Sequence, residues 1–394
     1  MSTTTHIPAT PSKSLPSSID RMGLGLLSAG VLLVIAAFIL QPVRASFDAV
    51  ILYLFMVGIG VGAIFLVALE HITGAVWSVP MRRIPEFLSG IAPFLVLLVL
   101  PLFLHLHDLF HWTHEEAVQA DAVLSGKSAY LNVQFFSLRT ASFLAIWIIF
   151  GMLFVRNSTK QDVTREPSLT RSSVRLAAAF LPLFAITLTF TAFDWAMSLE
   201  AHWFSTIYGV YFFSGTVLAA LAATTLIVVL MHENGHLPGL RRDHFYSLGA
   251  LMFGFVNFWA YIAFSQFLLI WYANLPEETY WFMARWENGW QIVSVLLIIA
   301  QFAVPYIVLL PQEAKMDLRR LKIMAIWLLV ARLIDLFWLV MPSHSPNLSL
   351  SWTELGFPLV GVGIVMLLIS WKSKRYNLVP IGDPKLQRGL DFHL

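Results

Sequence analysis

The sequence predicts an all-α integral membrane protein of about ten transmembrane helices, built as two four-helix bundles with a flanking helix at each end. Three observations predict it. Of the 394 residues, 58% belong to the hydrophobic set and only 12% are charged, whereas a soluble domain is roughly a quarter charged. The apolar residues fall in ten continuous blocks, each near the roughly 20 residues that carry a helix across a bilayer core. The blocks lack the period-two alternation of barrel strands. The basic residues, finally, gather on one side of the blocks. This composition excludes an ordinary cytosolic enzyme and a disordered or fibrous chain. The absence of cysteine removes disulfides, thiolate metal sites and iron–sulfur ligation by this chain.

Residues 1–21 are rich in Ser, Thr and Pro and read as a disordered cytoplasmic tail, with no small-residue cleavage site to mark a secretory leader. The predicted spans are 22–40, 47–70, 87–106, 137–155, 174–198, 205–231, 247–273, 289–310, 321–341 and 353–371. A long connection, 106–136, is expected to form a surface helix and either a docking surface for a partner or an inert cover. Residues 372–394 form a basic cytoplasmic tail. With ten spans, Arg44, Lys127, Arg139 and Arg285 are the basic residues of one side, and Arg332 lies inside the ninth span. The remaining twenty of the 25 Lys and Arg share the side of the termini. That bias predicts cytoplasmic termini. The other side is acidic, with Asp108, Glu115, Glu116, Asp121, Glu200, Glu277 and Glu278.

The bundle assignment comes from an internal echo. The fifth span ends Phe193-Asp194-Trp195-Ala196-Met197-Ser198, with His202 following. The ninth ends Asp335-Leu336-Phe337-Trp338, with Met341, Ser343 and His344 following. The second and sixth spans each carry tyrosine and glycine early (Tyr53, Gly58, Gly60, Gly62; Tyr208, Gly209, Gly215) and end on a Glu/His pair (Glu70-His71; His232-Glu233). The organisation predicted is therefore a flanking helix in 22–46, a first bundle in 47–198, a second in 199–341 and a second flanking helix in 342–371. Small residues at 58, 60, 62 and 63 are expected where helices approach closely.

Polar groups at membrane depth are costly, at least about 2.5 kcal/mol for a charge on insertion scales, so each asks for a reason. Asp335 has Arg332 one turn away at i−3, which reads either as an internal salt bridge or as a proton-relay acid tuned by arginine. Asp194 is preceded on one face by Thr191 and Thr187, either a hydroxyl ladder for protons or threonines bonded to their own helix. Asn257, Tyr261 and Ser265 at i+4 spacing, with Gln266 beside them, and Gln291, Ser294 and Gln301 form two stripes expected to point inward, as glue or as a water file. Glu70 and His71 form either an interfacial pair or the mouth of a proton half-channel. His105, His107, Asp108, His202 and Trp203 form a candidate quinone-binding cluster, or an aromatic belt with interfacial histidines. Every histidine sits at or beyond a helix end, so haem ligation is not expected. No nucleotide-binding loop or hydrolase elbow stands out.

The stretch Phe193-Asp194-Trp195-Ala196-Met197-Ser198-Leu199-Glu200-x-His202-Trp203-Phe204-Ser205-Thr206-Ile207-Tyr208-Gly209 closely resembles the signature of the NrfD-like (polysulfide-reductase-like) membrane subunits of alternative complex III. That assembly is a bacterial quinol:cytochrome c, or high-potential iron–sulfur protein, oxidoreductase. Ten spans, two bundles and this length match over almost the whole chain, and of the two homologous subunits the shorter, ActF-like one fits best. The resemblance implies the bacterial inner membrane and a subunit not catalytic alone, with no metal or haem of its own. It implies a possible quinone or quinol contact, with haem c and iron–sulfur clusters held by partners. Those partners would be an ActC-like homologous membrane subunit, a periplasmic iron–sulfur subunit, multihaem cytochrome c subunits and small helical membrane subunits, with lipids around them and no nucleic acid. It also implies a proton-translocation path, falling here on Asp194, Asp335, Arg332, Glu70 and His71. A secondary transporter with buried acids, or a purely structural anchor, is the alternative.

Overall fold

The computed structural model describes residues 15–394. It contains ten helices long and apolar enough to cross a membrane: α1 (Ser17–Leu40), α2 (Pro42–Thr73), α3 (Val79–Phe103), α4 (Val133–Thr164), α5 (Pro167–Glu200), α6 (Tyr208–Glu233), α7 (Arg242–Ala273), α8 (Trp290–Leu309), α9 (Leu318–Ser343) and α10 (Thr353–Arg375). No strand occurs among the described residues, so the multi-pass helical fold expected from the apolar blocks is present. The predicted N-terminal tail falls largely on residues outside the described ones; from Ser17 the chain is already helical.

α2 and α6 are buried along most of their length and pack on each other at the centre. α3 and α5 flank α2, and α4 closes that group against α3 and α5. α7 and α9 flank α6, and α8 lies between α7 and α9. α1 packs along α10, which leans on α2.

Small residues set the central distance. A Cβ at Gly62 would lie 2.7 Å from Ala220 Cβ and 2.9 Å from the Thr216 carbonyl oxygen of α6. At Gly60 it would lie 2.8 Å from Ile91. Gly60 and Gly62 are therefore at close helix crossings, where a methyl group would force the helices apart, whereas a Cβ at Gly58 would meet α6 only at an ordinary 3.8 Å.

α8 is interrupted by a π-helical stretch, Ile299–Ala303. The widened turn frees a carbonyl, and Trp327 Nε1 of α9 donates to Ala300 O at 2.7 Å. A satisfied π-bulge in mid-span is often a functional device.

Asp20 at the start of α1 pairs with Lys374 at the end of α10, so both ends of the ten-helix unit lie at one face, called the terminal face below. Residues 376–394 fold back over it. Asp383 accepts from Arg82 Nη2 at 2.7 Å, and His244 Nε2 bonds Gly389 O at 2.9 Å. At the opposite face the 104–132 connection holds a 3-10 turn, His111–Thr113, and three short α-helices, Leu106–Leu109, Glu115–Ala120 and Ala122–Lys127, instead of one helix. The Asp121 carboxylate caps the last, accepting from Val123 N and Leu124 N at 2.8 and 3.2 Å.

Candidate functional site

The echoed ends of α5 and α9 each carry an acid, and the surroundings of the two differ. Asp194 of α5 is fully buried. Arg139 of α4 donates Nε to its Oδ2 at 2.9 Å and Nη2 to its Oδ1 at 2.8 Å, and the Tyr130 hydroxyl adds a bond to Oδ1 at 2.9 Å. The Arg139 guanidinium also lies 3.8 Å from the centre of the Tyr130 ring. This is a bidentate clamp with its ligands in place. The hydroxyls below it are spent locally. Thr187 donates to Leu183 O and Thr191 to Thr187 O, each at 2.7 Å, while Thr187 also accepts from Trp147 Nε1 at 2.9 Å. Of the two arrangements the sequence allowed, the threonines adopt the one bonded to their own helix.

Asp335 of α9 is also fully buried. Arg332 Nη1 donates to Oδ2 and the Tyr211 hydroxyl of α6 to Oδ1. Gly215 makes room for this arginine: a Cβ there would collide with Arg332 Nη1. Unlike Arg139, Arg332 keeps Nε and Nη2 without partners among the described residues. So do both amide atoms of Gln301 in the π-bulge and the hydroxyls of Thr216, Thr224 and Thr225. All are at most 3% exposed. Thr216, Thr224 and Thr225 lie on α6 between Tyr211 and the terminal face, and Gln301 lies beside the level where Trp327 meets Ala300. The interior around α6 and α8 thus holds several scattered buried polar atoms without partners near an acid–arginine–tyrosine group; Thr216, against Gly62 of α2, and Thr225, nine residues on, point to opposite sides of α6. A native interior holds few such atoms, and water is their usual partner.

At the terminal face Glu70 does not open to solvent. Its Oε1 accepts from Arg82 Nη1 at 2.8 Å, and Arg82 also bonds Glu86 at 3.1 Å and Asp383. Arg83 joins Glu86 at 2.9 Å and Asp162 at 2.6 Å. His71 is buried with its ring stacked on Phe154. Glu70 is thus part of a closed ionic knot sealed by the C-terminal segment, and His71 packs on an aromatic ring instead.

Several expected groupings are rearranged. The Asn257–Tyr261–Ser265 stripe does not face the interior: Tyr261 is 66% exposed, and the inward face of α7 is Met252, Val256, Trp259, Ile262 and Gln266. The bulk of Trp259 against Tyr211 wins the inward position over the polar stripe, and Asn257 Nδ2 returns to Phe253 O at 2.7 Å. On α8 Gln291 is exposed. Ser294 is buried but occupied, donating to Arg285 O at 2.7 Å and accepting from Trp338 Nε1 at 2.8 Å. The candidate quinone cluster does not form one pocket. His105 pairs with Asp108 at 2.9 Å, His107 meets Thr113 Oγ1 at 3.0 Å, and His202 pairs with Asp121 at 2.6 Å. Trp203 crosses to the second bundle, where it stacks on Trp281 with ring centres 4.3 Å apart.

Other polar groups emerge only in three dimensions. Asp48 of α2 is buried with neither carboxylate oxygen partnered among the described residues, close to the Arg44–Glu354 pair. A lone acid at the start of an apolar span was its only sequence signal. Tyr211 had none, because a tyrosine in an apolar helix is ordinary. No protein-family model matches this chain, and neither does any curated protein.

Proposed function

We propose that this chain is the ActF-like membrane subunit of a respiratory quinol oxidoreductase whose electron acceptor is a cytochrome c or a high-potential iron–sulfur protein. It anchors that assembly and carries protons through its second bundle. The observation that supports the proton role is the number of buried polar atoms without partners around Asp335 and on the helices that pack near it. Thr216, Gln301, Thr224 and Thr225 supply groups that donate and accept in turn. Arg332 compensates the charge of Asp335, whose carboxylate would otherwise be untenable at this depth. Asp194, clamped on three sides, serves as a tie between α4 and α5. Glu70 and His71 seal the terminal face of the first bundle. The anchoring role falls to α2–α5 and the conducting role to α6–α9.

In this reading the terminal face, where the basic residues gather, is cytoplasmic, and the membrane, as the resemblance implies, is the bacterial inner membrane. Haem c and iron–sulfur clusters belong in this reading to partner subunits, and the chain is not catalytic alone. The test is to purify the native assembly through a tag on this chain and record its subunits and visible spectrum. Co-purifying c-type haem and iron–sulfur subunits with quinol:cytochrome c activity is the expected result. A colourless chain alone after gentle extraction overturns the reading and favours transport, to be assayed in liposomes.

A further inference from the structure

At the terminal face a groove of about 950 Å3 opens between α1, α3, α4 and α10. Its deeper wall is apolar, with Leu27, Phe94, Ile148, Met152 and Ile364. Ile148 lies eight residues before Arg156 on α4, and Ile364 eight before Lys372 on α10. The groove therefore runs about 12 Å inward from those two cations. Phe94, Met152 and Trp371 of its lining are exposed on the flank that a bilayer covers, so the groove is open to lipid along its side. A second hollow of about 570 Å3 continues from it at the surface, sharing Arg156, Lys374 and Tyr376 and adding Lys160 and Arg375.

The polar groups around the groove divide into engaged and free. Lys374 pairs with Asp20. Ser89 Oγ donates to Glu86 O at 2.7 Å, and Thr159 Oγ1 to Val155 O at 2.8 Å. The nearby acids are held too: Asp162 accepts from Arg83 at 2.6 Å, and Glu86 is buried between Arg82 and Arg83. Arg156, Lys160, Lys372 and Arg375, by contrast, have no ion pair and no side-chain hydrogen bond with any described residue. Neither has the Tyr376 hydroxyl. Lys372 Nζ lies 5.3 and 5.6 Å from the ring centres of Trp371 and Tyr376, and the Arg375 guanidinium 4.4 Å from that of Trp371. Aromatic faces thus hold two of these cations at the level where lipid headgroups lie.

Four uncompensated cations above an apolar groove call for an anion that carries hydrocarbon. A soluble anion would leave the groove unfilled, and an acidic peptide would not extend its depth into the bilayer. A zwitterionic lipid would add a cation of its own to the four. We propose that the groove binds an anionic phospholipid, its phosphate meeting Arg156 and Lys372 beside the Tyr376 hydroxyl and one acyl chain lying against Phe94, Ile148 and Met152. Basic pockets between transmembrane helices are a recurrent form of such sites. The bound lipid ties the flanking pair, α1 and α10, to α3 and α4 of the first bundle. The inference rests on the ten-helix fold and not on the respiratory reading, so either can fail without the other.

The probe is phosphatidylglycerol with a diazirine in one acyl chain. It is photolysed in phosphatidylcholine nanodiscs that hold the full chain with whatever subunits accompany it from the membrane. Phosphatidylcholine with the same diazirine chain is run in parallel. The expected label falls on peptides of α3, α4 and α10, is at least about tenfold denser with the phosphatidylglycerol probe, and is displaced by unlabelled phosphatidylglycerol. Arg156→Gln and Lys372→Gln each lower that preference about fivefold, the share of one cation near the membrane surface. Should either variant fail to assemble, Met152→Trp, which fills the groove from its exposed wall, replaces it and removes the label. Equal labelling by the two probes, label spread over other helices, or a preference that neither glutamine variant moves overturns the inference. Displacement by inorganic phosphate, but not by chloride at equal ionic strength, assigns the cations to a soluble anion and overturns it as well. A partner subunit seated over the groove gives no label there and overturns it likewise.

Discussion

Replacing Arg139 with Met tests whether Asp194 is a clamp or a relay. Asp194 is fully buried and receives three hydrogen bonds, two of them from Arg139. Met keeps much of the arginine stem and removes the charge, so the carboxylate is left with one neutral donor, Tyr130. Breaking a buried pair from one side costs about 3–5 kcal/mol, because the surviving charge is uncompensated. Removing both charges, as Arg139→Met with Asp194→Leu, should recover most of that loss. The assay is equilibrium unfolding in mixed micelles followed by tryptophan fluorescence, with Trp195 adjacent to the site as a reporter. A positive coupling of about 2–3 kcal/mol between the two substitutions is expected. In the assembled complex, Asp194→Asn should leave proton movement per complex unchanged. A cost below about 1 kcal/mol for Arg139→Met, or loss of proton movement from a fully assembled Asp194→Asn complex, would refute the clamp.

Four further outcomes follow from the same geometry. Asp335→Asn should lower quinol-driven proton movement per assembled complex in proteoliposomes at least about tenfold, about 1.4 kcal/mol or more in barrier, beyond any loss of yield from leaving Arg332 uncompensated; an unchanged rate per complex removes Asp335 from the path. Gln301→Leu replaces two unpaired buried polar atoms with apolar ones, so stability should hold or rise by about 1–3 kcal/mol while proton movement slows; a loss of stability would mean the amide is bonded. Gly62→Ala would bring a Cβ within 2.7 Å of Ala220 and should cost about 1–3 kcal/mol by overpacking, whereas Gly254→Ala meets nothing within 4 Å and should gain up to about 1 kcal/mol of helix propensity; equal effects in a thermal-shift series would dismiss the close approach. Burial pushes the Asp383 carboxyl up, but the Arg82 guanidinium and the Lys385 N–H outweigh it and hold it below the usual carboxylate range. Its stabilising contribution is thus complete above the free value of about 3.9 and lost as pH falls through the lowered one. Amide exchange over 376–394, corrected for intrinsic rates, should be flat between pH 5 and 8 and rise only in strong acid, and Asp383→Asn should raise it at neutral pH.

Much of the architecture was legible in the chain. The ten apolar blocks became ten helices, because hydrocarbon admits a lone backbone segment only when its hydrogen bonds are internal. The glycines at 60 and 62 announced close packing, and Arg332 at i−3 from Asp335 announced their pairing, since both rest on local spacing along one helix. The polar stripe of α7 was misplaced for a related reason. Spacing shows which residues share a face, but which face turns inward depends on the fit of neighbouring helices. There Trp259 against Tyr211 took precedence over Asn257 and Tyr261.

The sequence by itself determined the helical class, the number of crossings, the side on which basic residues gather and the echo between α5 and α9. These depend on composition and on periodicities shorter than a helix. Only the tertiary structure decided that the echoed acids differ, Asp194 enclosed by Arg139 and Tyr130 and Asp335 paired with an arginine that keeps two nitrogens without partners. It also decided that the C-terminal segment closes over Arg82, and that Arg156 and Lys372 share a groove. Each of these depends on partners distant in the chain. A buried polar atom is satisfied or orphaned according to what the neighbouring helices bring to it, and no run of residues along one helix contains that information.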